Sequence, residues 1–410
     1  MMRRLRKAKR RRIGLLALLL AAAVPVFASC AEADDTRLAD EDARASLPEA
    51  SDPDADMHPE AAVVDGGCDA SEPDCVSELI SCDEAAWCPV PTTVSTRFLL
   101  TSVWGSSSTD VWAAGSGGSI VHWDGTAWKE TPTGVKNTFR AIWGSGPNDV
   151  WAVAMTDVIM HSTGYAGGTA SWELVAPATS PEIASAAQAI WGTSAGDVRI
   201  GVRARNTAVP GRGYVYFNQY TLHAEADGGI RWDAVEGEGD VLGFWGSSPT
   251  DLWLVADNGD RRPWEKGQTL HGVADRGVFT WTNVDSQSSV ALLSIWGSSA
   301  DDIWAVGNAG TMRRMKKGAT RWEIVASPTK QTLRGIWGTA ADDVWAIGDS
   351  GTILHFDGTS WKPSVAALPL GKKADLYGVW GSSKNDVWIV GDGVSLHYTG
   401  PKPGARGGRK

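Results

Sequence analysis

A Trp-Gly dipeptide recurs seven times along the chain, at Trp104, Trp143, Trp191, Trp245, Trp296, Trp337 and Trp380, with intervals of 39, 48, 54, 51, 41 and 43 residues. That period suits a four-stranded propeller blade. Eight residues after each of these stands a second Trp, at Trp112, Trp151, Trp253, Trp304, Trp345 and Trp388, replaced by Arg199 in the third copy alone. An Asp always closely precedes it (Asp110, Asp149, Asp197, Asp251, Asp302, Asp343, Asp386), and Gly, Ser, Thr, Asn or Pro fill the gap to Trp-Gly. A fixed offset filled with turn formers predicts a tight hairpin. Runs such as DVWAAG at 110–115 are too short and too β-rich for a helix, a Gly-rich turn follows, and IVHWDG at 120–125 reads as the next strand. A last Trp, such as Trp128 or Trp361, marks the fourth.

Both faces of these strands are apolar, which fits sheets stacked face to face around an axis better than a sheet with one wet side. The count also closes. Copy seven ends in LHYTG without a fourth-strand Trp, whereas Trp87 lies upstream of copy one with no blade of its own, 17 residues before Trp104. Elsewhere 13 to 19 residues separate a fourth-strand Trp from the next Trp-Gly. The expectation is an all-β, seven-bladed β-propeller over residues 87–400, closed by an N-terminal strand around Trp87. Within 410 residues no second large core fits, and a monomer is expected. Most of the 22 Trp are accounted for as packing between neighbouring blades.

Ahead of the repeats, residues 1–29 read as an export signal: a basic start, an apolar stretch from Ile13 to Phe27, and small residues before Cys30. Phe27-Ala28-Ser29-Cys30 resembles a bacterial lipoprotein cleavage box, with Phe where Leu is usual. Cys30 is therefore the expected lipidation site, with ordinary cleavage after Ala28 or Ala31 as the alternative. Residues 30–67 read as an acidic tether too poor in large apolar groups to order itself, 68–86 as a small Cys-rich segment and 401–410 as a basic tail. If Cys30 is acylated, Cys68, Cys75, Cys82 and Cys88 form an even set, read as two disulfides in an exported protein. Three pairings are possible, and spacing does not choose among them. With no CxxC and no nearby His, a metal knot is disfavoured. No cofactor is expected.

The net charge of -10 sits in the tether: residues 31–90 carry 18 acids against Arg37 and Arg44, and residues 91–410 carry 30 acids against 28 bases. A near-neutral propeller without a basic stripe argues against nucleic acid. The membrane is met only through the lipid.

His122, His161, His223, His271, His355 and His397 are read as one repeat position, with Arg313 filling it in the fifth copy. Six copies around a ring are six separate places, so the reading is a structural Asp to His hydrogen bond per blade, not a metal centre. The GxSxG match at Gly192–Gly196 is in register with a hairpin turn and lacks the strand-to-helix context of a nucleophile. Asp52, Asp54 and Asp56 lack the Gly of a calcium loop.

Two insertions interrupt the repeat after the second strands of neighbouring copies, RARNTAVPGRG at 203–213 and DNGDRRPWEKGQ at 257–268. Arg203, Arg205, Arg212, Asp260, Arg261, Arg262 and Trp264 are the candidate ligand-binding residues. An aromatic flanked by Arg and Asp suits a carbohydrate, an anion or a protein loop, and solvated charged loops are the plain alternative. A further insertion, Gly164–Ala170, is expected on the opposite face.

The combination of WG-S-x-x-x-D-V-W-A-V-G with H-x-D-G-x-x-W resembles the Trp-rich propeller repeats of surface lipoproteins of myxobacteria and related bacteria, and more distantly tectonin-type lectin repeats. The first resemblance implies a propeller on an exported protein, and the second implies glycan or lipopolysaccharide binding. Together these readings give a non-catalytic module on the cell envelope, at the outer membrane or cell surface, that binds an unknown protein or glycan. The alternatives are a secreted or periplasmic protein, an exported hydrolase or lyase with its site at the channel mouth, and a structural assembly component.

Overall fold

The computed structural model describes residues 74–155, 158–175, 185–224, 229–258, 266–275 and 278–403. The chain divides into Met1–Ala62 and Val63–Lys410, and all described residues belong to the second unit. The signal, the tether, Cys30 and Cys68 lie outside the described residues.

Seven four-stranded antiparallel sheets form, each built from strands consecutive in the chain except the second, interrupted by a small hairpin at 165–170, and the last. Blade one comprises Leu100–Ser107, Asp110–Gly115, Ile120–Trp123 and Trp128–Glu130. The first strand of each blade contacts the first strands of the blades on either side, in an unbroken cycle that returns from blade seven to blade one. Blade seven takes Leu376–Ser383, Asp386–Gly391 and Ser395–Tyr398 from the chain's end and Trp87–Pro89 from its beginning. Trp87 pairs with Tyr398 and Pro89 with Leu396, as the count of Trp residues anticipates.

The Trp residues hold the blades together in two ways. The second-strand Trp of one blade meets the fourth-strand Trp of the next edge to face: Trp112 with Trp172, Trp151 with Trp232, Trp253 with Trp322, Trp304 with Trp361, Trp345 with Trp87 and Trp388 with Trp128. Each such pair adds about 0.5–1.5 kcal/mol beyond the area it buries. Between blades three and four the series breaks, because Arg199 stands in the Trp position; its guanidinium lies 4.4 Å over the Phe279 ring.

The second device explains the invariant Gly of Trp-Gly. A Cβ built on Gly144 would stand 2.5 Å from the Trp104 indole of the preceding blade and 2.5 Å from the Asp149 carbonyl oxygen. The same relation links Trp143 to Gly192, Trp191 to Gly246, Trp245 to Gly297, Trp296 to Gly338, Trp337 to Gly381 and Trp380 to Gly105. Each indole therefore lies on backbone that only Gly leaves bare.

At the turn between first and second strands the conserved Asp gathers donors. Asp110 accepts from Ser106, from Trp112 Nε1 at 3.0 Å, and meets His122 Nε2 at 2.7 Å. His161, His271, His355 and His397 meet Asp149, Asp251, Asp343 and Asp386 at 2.6–2.8 Å. Two assignments in this register need correction. His223 pairs with Arg231 on the outer hairpin and is exposed, while Thr221 lies opposite Arg199. In blade five the residue opposite Trp304 is Arg314, not Arg313, and its Nε donates to Asp302 at 2.5 Å. In copy three the inserted hairpin and a bulge between Gly201 and Arg205 place Thr221, not His223, opposite Arg199. Arg313 instead donates to the Ser286 and Gln287 carbonyls. The 164–170 insertion forms a small hairpin, and its Tyr165 stacks on His122 with centroids 3.9 Å apart.

Candidate ligand-binding site

In all seven blades the first strand carries a bulge at one place, three residues before Trp-Gly. The register slips between Leu100 and Ser102, Phe139 and Ala141, Ala187 and Ala189, Val241 and Gly243, Leu292 and Ser294, Leu333 and Gly335, and Leu376 and Gly378. A bulge leaves one residue unpaired in the ladder and re-aims its side chain. The seven residues so freed are Thr101, Arg140, Gln188, Leu242, Leu293, Arg334 and Tyr377, and all seven line one central cavity of about 500 Å³. Ile142, Ile190, Phe244 and Ile295 contribute apolar wall beside them.

This position differs from its neighbours in the strand. The residue before it is always apolar (Leu100, Phe139, Ala187, Val241, Leu292, Leu333, Leu376), and the residue after it is always small (Ser102, Ala141, Ala189, Gly243, Ser294, Gly335, Gly378). Packing between blades dictates those two. The bulged residue faces the cavity and varies through Thr, Arg, Gln, Leu and Tyr. The signal lies in the sequence as the one unfixed column of a regular strand, and it is not among the candidate residues that the insertions supply.

The ring is electrostatically lopsided. Arg334 forms a two-pronged pair with Asp349 and lies 5.2 Å from the Tyr377 ring. Burial works against its charge, but the Asp349 hydrogen bond outweighs it and holds the guanidinium above its ordinary value. Burial, with Asp375 nearby, pushes the Tyr377 phenol up. Across the cavity Arg140 is exposed and has no hydrogen-bond or ion-pair partner among the described residues. Thr101 is committed to backbone, donating to the Phe139 carbonyl at 2.7 Å.

The candidates of the first insertion lie beside this ring. That segment extends two strands of blade three, Asp197–Val209 and Gly213–Ala224, into a long hairpin. At its base Arg203 N donates to the Ala186 carbonyl, next to Gln188, and Ala204 N donates to Asp240, two residues from Leu242. The Arg203 side chain is 3.6 Å from Asp240, and Arg212 grips Glu236 with both terminal nitrogens, at 2.5 and 2.8 Å. Arg205 is exposed on the same hairpin. Asp260, Arg261, Arg262 and Trp264 lie outside the described residues.

Among the Cys set, Cys82 bonds to Cys88, which pins the turn before the closing strand to that strand. Cys75 is also in a disulfide, and Lys402 Nζ donates to the Cys82 and Ala85 carbonyls. Asp74 is tied to Gln331 and Lys373, so the described chain begins beside the loops that lead to Arg334 and Leu376. No cluster of metal-binding side chains occurs among the described residues.

The sequence matches no protein-family model and no curated protein. Two solved structures are similar in fold. "YCF48 from Cyanidioschyzon merolae" aligns with a TM-score of 0.57 and 18% identity over 77% of this chain and 99% of its own. A second, "YCF48 bound to D1 peptide", gives 0.56 and 17% over 80% and 100%. At this identity the likeness establishes a shared β-propeller fold.

Proposed function

We propose that this chain is a non-catalytic binding propeller that meets a protein ligand at the mouth of its central channel. The carrying observation is the bulge ring: one strand position, released from the packing that fixes its neighbours, presents seven side chains of five kinds to a single cavity. Leu242 and Leu293 with Phe244 offer an apolar wall, Gln188 and Tyr377 offer hydrogen bonds, and the blade-three hairpin with Arg203 and Arg205 rises from between Gln188 and Leu242. Mixed apolar and polar lining of this size suits an extended segment better than a flat protein face. A propeller of like fold has been solved with a peptide bound, which supports this choice of ligand class.

The hydrolase or lyase reading draws on Asp349, Asp375 and Asp392, the acids near Arg334 and Tyr377. Asp349 is held by Arg334, and Asp375 accepts the Ser350 N–H at 2.9 Å. Two of these carboxylates are thus engaged within the fold, Asp349 on a guanidinium and Asp375 on backbone, and no acid among the described residues lines the cavity itself.

Placement on the bacterial cell envelope, through acylated Cys30 and the acidic tether, is part of the same proposal and rests on the sequence of residues 1–67. Mass spectrometry of the native amino terminus tests it: a diacylglyceryl Cys30 supports the anchor, and a free terminus at Ser29 or Glu32 overturns it. The binding reading is tested by affinity capture from envelope extracts with the parent protein and a Leu242→Asp/Leu293→Asp variant. A partner retained by the parent and lost by the variant, with folding intact, supports it. Equal capture by both moves the ligand site away from the channel.

A further inference from the structure

The ring contains two cations and no acid, and the two cations are not equivalent. Arg334 already has Asp349 across both nitrogens and Tyr377 beside it. Arg140 has no such partner among the described residues, and it stands in the cavity near Gln188 on the adjacent blade. Asp375 and Asp392, whose charge acts on Tyr377, belong to blade seven, two blades round the ring from Arg140, and repel an incoming anion from that quarter. The field inside the mouth therefore points an anion toward Arg140.

Resting on the peptide-binding reading above, we infer that Arg140 receives a carboxylate of the bound polypeptide while Leu242, Phe244 and Leu293 take an adjacent apolar side chain. A guanidinium fork matches a carboxylate in two parallel hydrogen bonds, and such charge-assisted pairs strengthen as the cavity wall displaces water. A phosphate calls for more than one free cation, and the ring supplies one. The carboxylate belongs to a chain terminus or to an Asp or Glu side chain, and the chemistry of capture is the same.

The test uses the full chain and fluorescence polarisation with three sets of octapeptides rich in Leu and Phe. The first has a free C-terminal carboxylate and no acidic residue, the second is the same set amidated, and the third is amidated with one internal Asp or Glu. Arg140→Gln is expected to weaken carboxylate-bearing peptides about ten- to a hundredfold, Arg140→Lys less, and Lys330→Gln not at all. Preference for the first set identifies a terminus, and preference for the third identifies a side chain; either supports the assignment. Because Arg140 is exposed at a bulge, the variants should keep the parental unfolding midpoint. Peptide binding indifferent to amidation and to Arg140→Gln overturns the carboxylate assignment and leaves the propeller a peptide binder. No binding by any set overturns both readings.

Discussion

Trp87 and Trp345 meet edge to face with centroids 4.9 Å apart and planes at 89°, although one lies ahead of the first blade and the other in the sixth. Trp87 also lies 5.3 Å from Tyr398, its partner in the ladder. It is fully buried, and its Nε1 donates to Ser364 at 3.2 Å. The single ring thus joins the borrowed strand to two blades.

Trp87→Ala removes that joint and leaves a cavity. The expected loss is about 3–5 kcal/mol, a large share of a typical net stability of about 5–15 kcal/mol. Urea unfolding measures it; a loss below about 1 kcal/mol would contradict the closure described here.

Gly144→Ala places a methyl group 2.5 Å from both the Trp104 indole and the Asp149 carbonyl oxygen. Overpacking of this kind costs about 1–3 kcal/mol. Gly146→Ala, with open space around its Cβ, is the matched control and should differ little from the parent in thermal unfolding.

Asp110, Asp149, Asp343 and Asp386 set a pH dependence. Burial alone would raise each carboxyl, but hydrogen bonds from His, from Ser or Thr, and in the first two from Trp, outweigh it and hold each below its ordinary value. A folded value below the unfolded one contributes stability above the unfolded value near 4, and that contribution is lost as pH falls through the folded value. The unfolding midpoint should fall steeply below about pH 4, and Asp343→Asn should shallow that slope. A midpoint flat down to about pH 2 would refute the account.

Reduction of Cys82–Cys88, or Cys82→Ser, frees the turn that precedes the closing strand. For so short a loop the chain-entropy cost is about 2 kcal/mol. Hydrogen exchange should report it first in Trp87–Pro89 and Ser395–Tyr398; uniform loosening of all blades would contradict the local role.

Seven blades and their closure were legible because Trp-Gly, Asp and the second Trp are fixed by contacts that repeat in every blade, so spacing alone reveals them. The histidine register held at His122, His161, His271, His355 and His397, across connections of differing length, and it failed at His223, where the strands are extended and bulged, and at Arg313, whose neighbour Arg314 takes the place. The bulge ring escaped because attention to conserved columns hides a variable one. Arg140 and Tyr377 look like unremarkable strand residues until the ladder shows them slipped out of register and facing one cavity. The Gly of Trp-Gly stood out as a fixed position, and its task, leaving room for the indole of the preceding blade, became visible only with neighbouring blades in place.

The borrowed strand also fixes an order of events. Trp87–Pro89 leaves the ribosome before every blade and Ser395–Tyr398 after nearly all of them, so the first strand made must wait for the last. Until then blade seven lacks its outer edge and Trp345 lacks its cover. A polypeptide cut short anywhere before Tyr398 is a broken circle with an exposed aromatic seam, so synthesis must pass that residue before the propeller can hold itself together.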